Sequence, residues 1–329
     1  MVIVGLLVVF MALSMLLVHS ATVDSPSISI GIPKMILIFT IGIIGFLAAM
    51  MVDYKAIVKI VPYLYGAGIL MLVAVYVLGT EINGARGWFK LPFGFDFQPV
   101  ELFKLILIIA LAAYMARKQG ENLELLHDVI PIGLIMFVPF VLVVIQPDLG
   151  NAVIFIVILL GIYWIGNIKY THVLVATSII AGVLFFLSLT LYQSYHEEIR
   201  AFLKSTVGSD HWMGRIDTFL NPSAASKKDS YHVQNAIIAI GSGSLFGEGY
   251  LHGSSIHSNF IPIAYTDSIF VVVGEEFGFV GCSVLLLLYF VFIYRMIIIG
   301  IQCTDITGSY IIVGIVSMLV FQIFLKMSV

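Results

Sequence analysis

Three acids interrupt one apolar stretch of the chain. In NFIPIAYTDSIFVVVGEEFGF, residues 259–279, Asp267 stands at the foot of the run and Glu275 and Glu276 lie inside it. Asp267 occupies the place of a helix N-cap, where Asp is favoured. The same place, at a headgroup boundary, suits a catalytic carboxylate, and spacing does not choose between cap and catalyst. Glu275 and Glu276 lie two turns deeper, set to pair with Lys104 or with a backbone group. In GARGWFKLPFGFDFQPVELFK, residues 84–104, Glu101 and Lys104 are one helical turn apart and share a face. Burying an ionisable residue in a span costs about 2.5–3.5 kcal/mol on insertion scales, so it is a functional hypothesis by default. A Glu–Lys pair that merely neutralises itself is the alternative. Asp148, in QPDLG at 146–150, reads on its own as turn or cap chemistry. A further patch joins GRIDTFLNP (214–222) to YHVQNAIIAIGSGSLFGEGY (231–250). Exposed N–H groups of its glycine-rich turn can hold phosphate oxygens, and a flexible hinge is the equal alternative. It lacks the lysine and spacing of a P-loop.

The elements that must position these residues are membrane spans. The chain has 329 residues, 60% hydrophobic and 11% charged, against about 25% charged in soluble domains. Its net charge of −3 gives no reason to expect a nucleic-acid partner. Windows of about 20 apolar residues predict nine transmembrane helices near 2–18, 35–52, 57–79, 98–116, 129–146, 150–166, 172–192, 268–297 and 309–326, an all-α, polytopic membrane fold. Pro131 and Pro139 are expected to kink the fifth. The short-loop cations Lys55, Lys59, Arg117, Lys118, Lys169 and Arg295 favour an inside N-terminus. Residues 193–266 then form one long extracytoplasmic loop within a single domain spanning 1–329. Five histidines in that loop show no zinc spacing. Cys282 and Cys303 read as buried free thiols.

Taken in order, GARGW with QPVELFK, QPDLGNA, RIDTFLNP with YHVQNAIIAIGSGSLFGEG, and NFIPIAYTDSIFVVVGEEFGF resemble the SEDS family of shape, elongation, division and sporulation proteins, with RodA, FtsW and SpoVE among its members. The resemblance runs from the second span to the ninth. It implies a peptidoglycan glycosyltransferase that polymerises lipid II at the outer face of the cytoplasmic membrane, with a class B penicillin-binding protein and the elongation or division machinery as partners. The family's essential acid falls at Asp267, its span-mouth Glu and Lys at Glu101 and Lys104, and its QPDLG acid at Asp148. On this reading Asp267 is a general base for the sugar 4-hydroxyl. Lys104, with Arg215 or Arg86, lies near the pyrophosphate, and Glu101 holds Lys104. Gln234, Glu275 and Glu276 complete the candidate substrate-binding set. A divalent cation, Mg or Mn, would suit the chemistry, although no ligand spacing marks one.

The chain departs from the family pattern at Val100, Asn151 and Ser268, where Ser, Thr and Phe are usual. The family normally has ten spans, and the ending FQIFLKMSV, with Lys326 in an apolar position, leads us to expect a shortened C-terminus. Two other classes compete: a lipid II flippase, and a scaffold that recruits the penicillin-binding protein. The charges cluster toward the outer side of the spans, which favours the enzyme over a transport path.

Overall fold

The computed structural model describes residues 2–23, 32–82, 85–92, 95–118, 123–166, 171, 227–257 and 268–327. The expected span at 172–192, Arg215 and Asp267 lie outside these residues. Helices occupy the other eight expected spans. They are α1 (Val2–Thr22), α2 (Ile32–Met51), α3 (Tyr54–Leu78), α4 (Pro99–Ala116), α5 (Ile130–Ile145), α6 (Leu149–Ile165), α8 (Ile269–Gln302) and α9 (Ile306–Met327), with α7 (Lys227–Ser242) inside the expected loop. Seven of them, counting α5 with its lead-in, are long and apolar enough to cross a membrane; α6 is apolar but shorter. This is a multi-pass, all-helical membrane architecture, with one addition that periodicity did not reveal. Between α3 and α4 the strands β1 (Thr80–Ile82), β2 (Ala85–Leu91) and β3 (Phe95–Phe97) form an antiparallel meander. Opposite charges face each other across it, Glu81 with Arg86 and Lys90 with Asp96, pairings that favour this register.

Two corrections concern local detail. Pro131 does not kink a helix interior: it falls in the first turn of α5, where a missing N–H has no partner to lose. A π-helical turn, Leu125–Val129, leads into it, and the helix continues through Pro139. Both cysteines are free, but each is partly exposed rather than buried.

The chain divides into two compact units. The first comprises residues 1–54, 221–299 and 322–329. Its core joins Leu17 and Ala21 of α1 to Ala236 and Ala239 of α7 and to Val271, Val272, Val273 and Leu285 of α8. The second comprises residues 55–220 and 300–321. Here α4 is the central helix: its most apolar window is 56% buried, against 6% for α1, α2 and α8. Phe103 of α4 packs between Tyr65 of α3 and Phe155 of α6. Its ring lies where a Cβ on Gly68 would be, so that position of α3 admits only glycine without repacking. An apolar stripe of Leu107, Ile108, Leu111 and Met115 continues below it, fully buried. This packing carries a helix with a buried lysine, Lys104, in its second turn.

Candidate active site

In the second unit, the starts of α4 and α6 place five polar side chains in one ladder. Gln98 is the N-cap of α4 in extended geometry and makes no side-chain cap bond. Its amide instead donates to Asp148 Oδ2 at 3.1 Å. Asp148 is the N-cap of α6, accepting the Asn151 N–H at 3.2 Å on Oδ1 and the Asn151 side-chain amide at 2.7 Å on Oδ2. Asn151 Oδ1 accepts from Lys104 Nζ at 3.0 Å, and Lys104 also donates to Glu101 Oε1 at 2.8 Å. The ladder therefore runs Gln98, Asp148, Asn151, Lys104, Glu101, with neutral amides and charges alternating up to the Lys104–Glu101 ion pair that ends it.

Burial sets what the ladder can do. The Lys104 side chain has no exposed surface, whereas Glu101 is 52% exposed. The attraction of the pair, screened by solvent at the half-exposed Glu101 end, offsets part of the cost of carrying the lysine inside an apolar bundle. The pair thus neutralises itself, as the structural alternative required, but it does so with one end open to the exterior. Beneath it, Gln146 is buried and its amide donates to the Leu72 carbonyl at 2.8 Å, tying the QPDLG turn to α3. A Cβ on Gly87 would lie 3.9 Å from Gln98 Nε2 and 4.0 Å from Gln146 Oε1. The GARGW strand therefore lies against both glutamines. Strand alternation turns its neighbour Arg86 to the other face, exposed and opposite Glu81.

The first unit holds the other acids, and there the backbone explains them. Helix α8 breaks at Gly278, which has φ +64° and ψ −160°. The carbonyls freed by the break, of Glu275 and Glu276, accept from the N–H groups of Glu248 at 2.9 Å and Gly249 at 3.0 Å. The freed N–H groups, of Phe279 and Val280, donate to the carbonyls of Ser244 at 3.0 Å and Leu245 at 3.1 Å. Approach this close requires glycines. Gly247 has φ +82°, and a Cβ there would collide with the Glu276 carbonyl. The glycine-rich turn is thus a patch over a broken membrane helix. Its N–H groups at 248 and 249 serve that helix, so those two are not available to a phosphate.

Glu275 and Glu276 extend the same stitching. Both are buried. Glu275 accepts from the Ser255 N–H at 2.6 Å, and Glu276 accepts from the Leu251 N–H at 3.2 Å and from the Ser20 hydroxyl of α1. Beside them the Tyr250 hydroxyl meets His19 Nδ1 at 3.1 Å. Of the two expected pairings, the structure shows the backbone one; Lys104 is held by Glu101 and Asn151 instead.

The structure therefore brings Glu101, Lys104 and Asp148 together, sets Glu275 and Glu276 in a separate network, leaves Gln234 exposed on α7, and turns Arg86 outward. Asp267 and Arg215 lie outside the described residues. Sequence reasoning missed Asn151, noted only as a departure, and Ser20. The signal for Asn151 was its position three residues after Asp148, where a side chain at N3 faces the N-cap. Among the described residues no group of three His, Cys, Asp or Glu side chains can hold a metal. The positive charge beside Glu101 is the Lys104 ammonium.

The chain is similar to known proteins. Residues 1–329 match the family model described as cell cycle protein, FtsW/RodA/SpoVE. The probable peptidoglycan glycosyltransferase FtsW of Acinetobacter baylyi is 32% identical over 233 residues, covering 70% of this chain and 53% of that protein. Stage V sporulation protein E of Bacillus subtilis is 29% identical over 303 residues, covering 90% and 76%. The chain spans a little over half the length of the FtsW relatives from A. baylyi, Aliivibrio salmonicida and Nitrosococcus halophilus. Among solved structures, one chain of a peptidoglycan synthase complex that coordinates polymerization and crosslinking superposes with a TM-score of 0.72 and 25% identity, covering 98% of this chain and 85% of that one. RodA of Thermus thermophilus, at 24% identity, shares the fold with a TM-score of 0.64 over 98% of this chain and 82% of that one. With the family model spanning it from end to end, the chain belongs to the FtsW/RodA/SpoVE family of membrane proteins.

Proposed function

We propose that the protein is a peptidoglycan glycosyltransferase that polymerises lipid II, with Asp267 as its general base. The sugar 4-hydroxyl attacks the anomeric carbon of a second lipid II. A carbon–oxygen bond forms there as the bond to pyrophosphate breaks, the hydroxyl proton passes to Asp267, and undecaprenyl pyrophosphate leaves. A positioned base is typically worth 10²–10⁴-fold. The observation that carries this reading is the buried Lys104, fixed between Glu101 and Asn151 with Glu101 opening outward. A charge that cannot reorient is suited to developing negative charge, because nothing need reorganise as the reaction proceeds. Arg215 is assigned to the same leaving group. Arg86, exposed and facing Glu81, is left out of that role.

The names of the relatives and the synthase complex support the activity and a class B penicillin-binding protein as partner. The distribution of Lys and Arg among the short loops supports placing the site on the extracytoplasmic side. The test is polymerisation of purified lipid II by the full chain in detergent, with and without a class B penicillin-binding protein, beside Asp267→Ala. Glycan strands from the wild type and none from Asp267→Ala are expected. Equal strands from both, or translocation of lipid II without strands, would overturn the reading.

A further inference from the structure

We propose that Asn151 is a positioning residue that couples Lys104 to Asp148 while keeping their charges apart; the proposal rests on the glycosyltransferase reading above. Asn151 is the third residue of α6, and its backbone N–H alone satisfies the cap on Asp148. The side chain is not needed for that, yet both of its ends are engaged. Its orientation follows from chemistry: an ammonium only donates and a carboxylate only accepts. The amide oxygen therefore faces Lys104 at 3.0 Å and the amide NH₂ faces Asp148 at 2.7 Å. One neutral group thus separates a buried cation from the second acid of the site.

Without the amide, Lys104 keeps one strong partner, Glu101, and is free to close on Asp148 as well. Either movement takes the ammonium from its fixed place. Asp148, left with Gln98 and a backbone N–H, loses the bond that sets its carboxylate plane. The effect belongs on the chemical step rather than on binding, because Asn151 acts through its two neighbours.

Two substitutions of nearly equal volume and equal β-branching separate this role from packing. Asn151→Thr keeps a hydroxyl that accepts from Lys104 and donates to Asp148; Asn151→Val has neither function. In lipid II polymerisation by the full chain, Asn151→Thr should stay within about threefold of wild type. Asn151→Val should lose on the order of 10²-fold in kcat, the scale of a misplaced reacting group, with KM nearly unchanged. Combined with Lys104→Met, Asn151→Val should cost nothing further. Equal loss in the Thr and Val variants, or additive losses in the double variant, would overturn the proposal. If the wild type makes no strands, the glycosyltransferase reading fails by itself. The same cycle read by thermal unfolding then decides the inference: non-additive shifts at 104 and 151 uphold the coupling, and additive shifts refute it.

Discussion

The two polar clusters use the same ingredients, charged side chains buried among apolar helices, in opposite ways. Around α4 and α6 side chains answer side chains, from Gln98 to Glu101, and the far end opens to the exterior. Around Gly278 the acids and the glycine-rich turn answer the backbone, receiving the N–H groups of Leu251 and Ser255 and exchanging four further backbone hydrogen bonds with a broken helix. A side-chain network can trade one partner for a substrate without unfolding anything. A backbone network at membrane depth cannot, because each bond released leaves a peptide group unsatisfied at a cost of several kcal/mol. Buried charge is therefore not by itself a sign of chemistry. What it is bonded to decides whether it can act or only hold.

The largest effect should come from the backbone cluster. In Gly278→Val a Cβ would sit 2.5–2.8 Å from backbone atoms of residues 243, 245 and 247, at a φ of +64°. Strain of about 1–3 kcal/mol adds to collisions that backbone cannot relieve. No folded protein should be recovered by size-exclusion chromatography in detergent. Next is Lys104→Met, which should lower turnover by about 10²–10³-fold, the range for losing a preorganised charge-stabilising group. Its folded yield should hold, since the carboxylate it leaves, Glu101, is half exposed. Glu276→Gln should do the reverse. It weakens charge-assisted bonds from Ser20 and Leu251 at about 1–3 kcal/mol, lowering the unfolding temperature while turnover per folded molecule is kept.

The smallest effect is one of pH. The Ser254 N–H at 2.9 Å, helped by the Ser242 and Ser254 hydroxyls, holds the Glu248 carboxyl below the usual carboxylate range. A carboxyl lowered in the folded state stabilises it above the unfolded value, about 4.3. That contribution is lost as pH falls through the folded value. The unfolding temperature of wild type minus that of Glu248→Gln should thus be positive at neutral pH and shrink toward zero below about pH 4. A difference that grows with acid would contradict the contact.

Much of this was legible in the sequence because the signals were local. Apolar windows found every long helix described, and the one-turn spacing of Glu101 and Lys104 gave their pairing directly. Non-local partners defeated the rest. The turn GSGSLFGEG looks like an anion cradle until the break at Gly278, some thirty residues on, is seen to use its N–H groups. In the meander at 80–97 the outer strands β1 and β3, of three residues each, are too short to show alternation. Asn151 registered only as a departure from the family pattern, since nothing in one dimension shows an amide reaching from Asp148 to a lysine 47 residues earlier. Glu275 and Glu276 drew attention through proximity to Asp267, whereas Ser20, near the other end of the chain, is what one of them holds.

The most direct measurement is lipid II polymerisation per folded molecule for Lys104→Met and Glu275→Gln side by side, with the folded amount of each taken from the monodisperse peak. The account predicts that Lys104→Met is well folded and nearly inactive, while Glu275→Gln is scarcer or less stable but turns over normally in the fraction that folds. Normal turnover in Lys104→Met, with a stable but inactive Glu275→Gln, would contradict it and place the chemistry at the broken helix instead.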